Sequence, residues 1–209
     1  MCSNCCLLYF CKMNYLAHAY LSFNEPEILT GNMISDFVKG KKKFDFPQQI
    51  QKGIALHRAI DEFTDRHEET RKAKLFFRPV YGLYSGAFID IVYDHFLATD
   101  RNEFPNDELA FFSKKAYEQL QAHENSFPEK FHQIFHYMKL HDWLCNYQFK
   151  EAISKSFRGL VHRAAYMNDP STAFDVFENK YDELKKCYKI FFPLLKEFAF
   201  QKFNGLIES

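Results

Sequence analysis

The residues able to do chemistry fall in pairs at helical spacing. In QQIQKGIALHRAIDEFTDRH, residues 48–67, His57 and Asp61 lie four apart beside an apolar stripe of Leu56, Ile60 and Phe63, and Thr64 and Asp65 run along the same side. An imidazole and a carboxylate so placed on a helix point the same way, next to the edge that a helix buries. They either pair structurally or hold a metal. The spacing recurs at Asn32 and Asp36 in TGNMISDFVKG and at Asp90 and Asp94 in GAFIDIVYDHFL, each among apolar neighbours. Ionised carboxylates in such surroundings cost several kcal/mol each unless paired or bound to a cation. One divalent ion shared between the three helices would relieve all of them.

Periodicity predicts the elements that must position these pairs. Asn14 to Phe23 reads as a helix with Leu16, Ala19, Tyr20 and Phe23 on its apolar side and His18 among them, the usual setting of a satisfied core histidine. Asn24 as a cap and Pro26 in the first turn predict a helix from Pro26 to Val38 that stops at Gly40. Lys41 to Pro47 reads as a polar loop. Gly53, one turn before His57, weakens the next helix slightly and permits close approach of a neighbour. Further helices are predicted over Arg66 to Phe77, ending before Pro79, and over Tyr81 to Thr99, followed by a turn over Asp100 to Asp107.

The second half reads as helices over Asp107 to Asn125, from Pro128 through HQIFHYMKLHDWLCNYQ, over Phe149 to Arg163, and over Ser171 to Phe203. The last carries Phe174, Phe177, Tyr181, Leu184, Tyr188, Phe191, Leu195 and Phe198 in one stripe, a core staple. His132, His136 and His141 share no face with a carboxylate and read as surface or packing residues. No useful period-2 alternation, internal repeat, glycine-rich phosphate loop, nucleophile elbow or HExxH is present. The expected fold is all-α, a single-domain helical bundle.

Composition narrows the partners. With 27 basic and 27 acidic residues, no global field favours nucleic acid or an anionic membrane, and no apolar run approaches the roughly 18 residues that cross a bilayer. The local run KGKKK, Lys39 to Lys43, reads as a solvated face or a dock for an acidic partner. Four of the six cysteines, Cys2, Cys5, Cys6 and Cys11, crowd the first eleven residues without zinc-finger spacing or a secretion signal, and Cys145 and Cys187 stand alone. A reduced, cytoplasmic chain is expected.

Taken together, MNYLAHAYLSF, LTGNMISDFVKG, GIALHRAIDEFTD and DIVYDHFL, in this order and spacing, resemble the acyl carrier protein phosphodiesterases, with a weaker echo at Asp142-Trp143-Leu144 and around Phe157 to Arg163. Proteins of that family typically begin at the position matching Met13. Residues 1–12 are therefore expected to be a non-native or disordered extension before one hydrolase domain over 13–209.

The resemblance implies an all-helical fold distantly similar to the HD-type metal-dependent phosphohydrolases, with a manganese preference, Mg2+ or Fe2+ being alternatives. It also implies hydrolysis of the phosphodiester joining 4′-phosphopantetheine to a serine of holo acyl carrier protein. The adjacent pair Asp94-His95 reverses the usual HD order. The candidate metal ligands are Asp36, His57, Asp61, Asp90 and Asp94, with Asn32 orienting. His18 or His95 would carry a proton to the leaving serine oxygen, and Arg58 or Arg163 would neutralise developing charge. Carrier proteins of this kind are acidic, and Lys39 with Lys41, Lys42 and Lys43 would suit them as a docking rim. Two other functions fit the same residues: a metal phosphohydrolase of nucleotides or other small phosphate esters, and a non-catalytic helical module that binds the carrier.

Overall fold

The computed structural model describes residues 15–163 and 171–208, with the side chain of Arg163 outside that description. The expected extension over residues 1–12, and with it Cys2, Cys5, Cys6 and Cys11, lies outside the described residues. Among those described, the chain is helical throughout and contains no strand. The elements are α1 (Tyr15–Tyr20), α2 (Pro26–Ile34), α3 (Gln48–Arg66), α4 (Glu68–Tyr81), α5 (Ser85–Ala98), α6 (Glu108–Ala122), α7 (Glu129–Leu140), α8 (Trp143–Asn146), α9 (Lys150–Arg163), α10 (Ser171–Asn179) and α11 (Tyr181–Ile207). No helix among these residues is long and apolar enough to cross a membrane.

The bundle is built around α5, in which only Gly86 and Asp90 are not fully buried. A helix apolar on every side must lie inside, and α1, α4, α9 and α11 cover it. The predicted staple supplies Leu184, Tyr188, Phe191 and Leu195 from α11, all buried. The single long helix expected there is two, because the chain breaks at Lys180. The break turns α10 across α9, where the Phe177 ring meets Phe157 and His95 edge-on.

Other boundaries differ as well. The helix expected from Pro128 through Gln148 stops at Leu140, and Asp142, at φ 41°, starts the separate α8. Pro79 lies inside α4, which continues to Tyr81. The hydrogen bond it forgoes would have gone to the Leu75 carbonyl, on a face open to water. The α2 helix stops at Ile34, and Ser35–Phe37 tighten into a 3-10 turn that removes Asp36 from the helical face of Asn32. The polar segment that follows is itself a 3-10 turn, Gly40–Asp45, entered through Gly40 at φ 57°.

The close approach expected at Gly53 is present and reciprocal. A Cβ on Gly53 would stand 2.3 Å from the Ile28 carbonyl oxygen, and one on Gly31 would stand 2.1 Å from that of Ile50. Backbone meets backbone where α2 crosses α3, one turn before His57, so neither side can yield by rotating a side chain. Gly53→Ala is expected to destabilise by about 2–3 kcal/mol, the cost of overpacking a tight contact. The same change at Gly159 in α9 meets open space and is expected to stabilise by about 0.5–1 kcal/mol. Urea unfolding midpoints of the two variants, moving in opposite directions, check both.

Candidate metal centre

The α2–α3 crossing and α1 bring three side chains together: His18 of α1 with His57 and Asp61 of α3. The imidazole rings stack, centroids 3.9 Å apart and planes at 16°. Asp61 faces both, one oxygen 3.2 Å from Nε2 of His18 and the other 3.3 Å from Nε2 of His57. From the tightened turn, Asp36 brings an oxygen to 3.3 Å from Nε2 of His57. His57 and Asp61 are therefore brought to one centre, and Asp36 is beside them.

Asn32 settles the tautomer of His18. Its amide nitrogen donates to the His18 carbonyl at 3.0 Å and to the Ser22 hydroxyl at 3.1 Å. Its amide oxygen therefore accepts from Nδ1–H of His18, 2.7 Å away. Nε2 of His18 is then the nitrogen with the lone pair, and it is buried without a hydrogen-bond donor. A lone pair facing a carboxylate oxygen at 3.2 Å is repulsive unless a proton or a metal cation lies between them. Two imidazoles, a carboxylate and an outer hydrogen bond that orients one ring are a donor set suited to a divalent ion. Periodicity alone makes His18 a core histidine, and the resemblance implies a proton carrier. Only the packing of α1 against α3 puts it among the atoms that could hold an ion.

Electrostatics separates the two histidines in the metal-free protein. Burial lowers the pKa of His18, and the neighbouring charge of His57 lowers it further. Burial also opposes protonation of His57, but hydrogen bonds and charge from Asp36 and Asp61 outweigh it and push its pKa up to about 9. Against the opposition of burial, His18 and His57 hold Asp61 below the usual carboxylate range. The unfolded His57 titrates near 6.5, so its pairing contributes fully below that pH and is lost as pH rises toward 9. Asp61 contributes above its ordinary value of 3.8 and is lost as pH falls through its depressed one.

With chelator present, the melting temperature is expected to decline between pH 6.5 and 9. With Mn2+ present the trend should reverse, because coordination needs a neutral imidazole and gains as His57 deprotonates. Thermal melts at stepped pH read both limbs.

The other expected site residues are distributed as follows. Asp90 lines the cavity over the cluster, together with Asp36, His57 and Asp61. Asp94 does not join them. It is fully buried, and its two oxygens accept from the backbone amides of Leu16 at 3.0 Å and Ala17 at 2.9 Å. A helix turn separates Asp90 from Asp94, but the latter is pulled toward the open N-terminal amides of α1, which it caps. Burial and the charge of Asp90 raise its pKa well above the carboxylate range against the pull of those amides.

His95 is also engaged elsewhere. Its Nδ1–H donates to the Tyr147 carbonyl at 2.8 Å, and its Nε2 accepts from the Tyr181 hydroxyl at 3.0 Å. Arg58 donates to the Val38 carbonyl at 3.0 Å and ties α3 to the loop. Lys39 is exposed, and neither it nor Arg58 lines the cavity. The side chain of Arg163 lies outside the described residues. His132, His136 and His141 are on the surface as expected.

The cavity above the cluster measures about 740 Å³, within the range of small-molecule sites. Its far wall is a part of α4 that the sequence did not single out: Arg71, Lys74, Leu75 and Arg78. Their i, i+3, i+4, i+7 spacing was the available signal. Without the crossing of α4 over α3 nothing linked that face to His57.

Fold and site together define an all-helical protein with a candidate divalent-metal centre at the floor of an open cavity. The family described as acyl carrier protein phosphodiesterase matches residues 13–195, and the chain belongs to it. It is 29% identical over 191 residues to the acyl carrier protein phosphodiesterase of Yersinia pestis, covering 91% of this chain and 99% of that one. Proteins of the same name from Escherichia coli O6:H1 and Photorhabdus laumondii are also 29% identical, with 91% of this chain and 99% and 96% of theirs covered. No solved structure matches the chain, so the expected likeness to HD-type enzymes rests on sequence motifs alone.

Proposed function

We propose that the protein is a metal-dependent phosphodiesterase that hydrolyses the bond between 4′-phosphopantetheine and a serine of holo acyl carrier protein, leaving apo carrier. The observation that carries this is the His18, His57, Asp61 group at the floor of a cavity in a chain of this family. His18 and His57 through Nε2, and Asp61 through its carboxylate, would hold a divalent ion, Mn2+ in the first instance. Asp36, with an oxygen 3.3 Å from Nε2 of His57, and Asp90, on the cavity wall, would complete the set. When bound, such an ion supplies Lewis acidity, neutralising phosphoryl charge and making water more acidic.

The chain's own residues do the rest. Asn32 holds His18 in one tautomer, so its Nε2 stays available. His57, Asp36 and Asp61 together retain a proton on the imidazole until a cation displaces it. Asp36 and Asp90 face the cavity, where a carboxylate can accept the proton of the attacking water. In the balanced reaction a water oxygen bonds to phosphorus, the bond to the serine oxygen breaks, and that oxygen takes a proton.

Incubation with holo acyl carrier protein and Mn2+, followed by intact-mass spectrometry, tests the proposal. Loss of the prosthetic arm, abolished by chelator, is the expected result. An intact arm alongside turnover of nucleotide or other small phosphate esters would replace it with the small-ester hydrolase. Activity and melting temperature both indifferent to chelation would remove the metal.

A further inference from the structure

We propose that the outer wall of the cavity, formed by Arg71, Leu75 and Arg78 of α4 and Leu83 of the turn after it, is the docking surface for an acidic protein partner, the carrier itself. This rests on the function proposed above. Arg71, Leu75 and Arg78 share one helical face, and all three line the cavity that has His57 and Asp61 at its floor. Most charge on this wall is already matched. Lys72 pairs with Glu68 at 3.0 Å and Glu69 at 2.8 Å, and Lys74 pairs with Asp65 at 2.7 Å. Asp36 and Asp61 face the histidines. Arg71 and Arg78 are exposed, and their guanidinium groups have no ion pair or hydrogen bond among the described residues. Two unmatched guanidinium groups at the mouth of a site recruit oxyanions, and on a protein surface those are paired carboxylates.

Between and beyond them the surface is apolar. Leu83 is 97% exposed and Leu75 58%. Gly82, at φ 52°, ends α4 and turns the chain so that Leu83 stands out from the body. Leucine held in water beside arginine has the composition of an interface. The occupants separate by charge. The prosthetic arm carries one phosphodiester charge, which the proposed reaction sets at the His18, His57 and Asp61 floor, and the rest of it is a neutral chain of amides with no use for two cations at the mouth. A second copy of this chain, docked by the same corner, would set Arg71 and Arg78 against their own equivalents. An acidic carrier satisfies both the cations and the apolar tip, and its serine then enters the cavity from this side. The lysine run at Lys39 to Lys43 sends no residue into the cavity.

The test uses the full chain loaded with Mn2+. Carrier binding is measured by titration calorimetry with apo acyl carrier protein, and turnover with the holo form. Arg71→Glu with Arg78→Glu is expected to weaken carrier binding and raise KM by about tenfold or more, to flatten the salt dependence of KM, and to affect kcat little. Leu83→Ser is expected to weaken binding without changing the salt dependence. Lys189→Glu with Lys202→Glu, the same charge change on the exposed face of α11, controls for net charge and should leave binding as it was. Circular dichroism confirms folding of each variant.

Wild-type binding that survives the arginine reversal overturns the docking surface, as does binding lost instead in Lys41→Glu with Lys42→Glu. So does an absence of carrier binding to the wild type, or a change in association state as the only effect. Wild type that binds carrier through the arginines but releases no arm would leave the docking surface standing and remove the proposed reaction.

Discussion

His57→Ala is expected to abolish Mn2+ binding and to reduce release of the prosthetic arm by about a thousandfold or more, the rate equivalent of the several kcal/mol that a polarising ion contributes. The effect is large because His57 faces both Asp36 and Asp61. Removing its ring takes away one ligand and leaves two carboxylates repelling across the space it filled. Asp61→Asn removes the group that both histidines share and should match it. Asn32→Ala acts one step further out. It frees the tautomer of His18 without touching the centre, and its expected loss is about 10–100-fold in metal affinity. Titration calorimetry with Mn2+ checks the order. Equal affinity in wild type and Asn32→Ala would show that the ring of His18 is held without its amide partner. Full turnover in His57→Ala would remove the ligand assignment altogether.

Asp94→Ala is the second large effect, and it is expected on stability. The carboxyl is fully buried, and its oxygens are the acceptors for two backbone amides at the start of α1. Alanine leaves both donors buried without a partner, which costs about 3–5 kcal/mol for the two. Because α1 also carries His18, metal affinity falls with the helix. Asp94→Asn keeps one acceptor and should lie between. A stability loss that exceeds any loss of turnover at low temperature separates this capping role from direct coordination. A variant of wild-type stability that is inactive would instead return Asp94 to the metal.

The pairs Asn32/Asp36, His57/Asp61 and Asp90/Asp94 are indistinguishable by spacing, and the structure treats each differently. Only His57 and Asp61 stay together, because the one face of α3 that carries both meets His18 of α1 and Asp36 of the turn after α2. Asn32 turns to His18, while Asp36 leaves the helix axis in a 3-10 turn and meets His57 from the other side. Asp90 looks into the cavity, and Asp94 looks back into the core toward the end of α1. His18 sits among Leu16, Ala19 and Tyr20 like a core residue, and it is as buried as one. Its use depends on where its second nitrogen points.

The amino-acid sequence by itself determined that the chain is helical, which face each helix buries, that Gly53 admits a neighbouring backbone, and, through its motifs, the family. Each of these is a property of one segment: a repeat near 3.6 residues, a missing side chain, an ordered run of residue types. The tertiary structure alone decided which side chains share a centre, which carboxylate caps a helix, and that Arg71 and Arg78 open onto the same space as His57. Periodicity gives the direction of a side chain about its own helix axis. It carries no information about which helix lies opposite, and a site made from α1, α3 and the turn after α2 exists only once those axes cross.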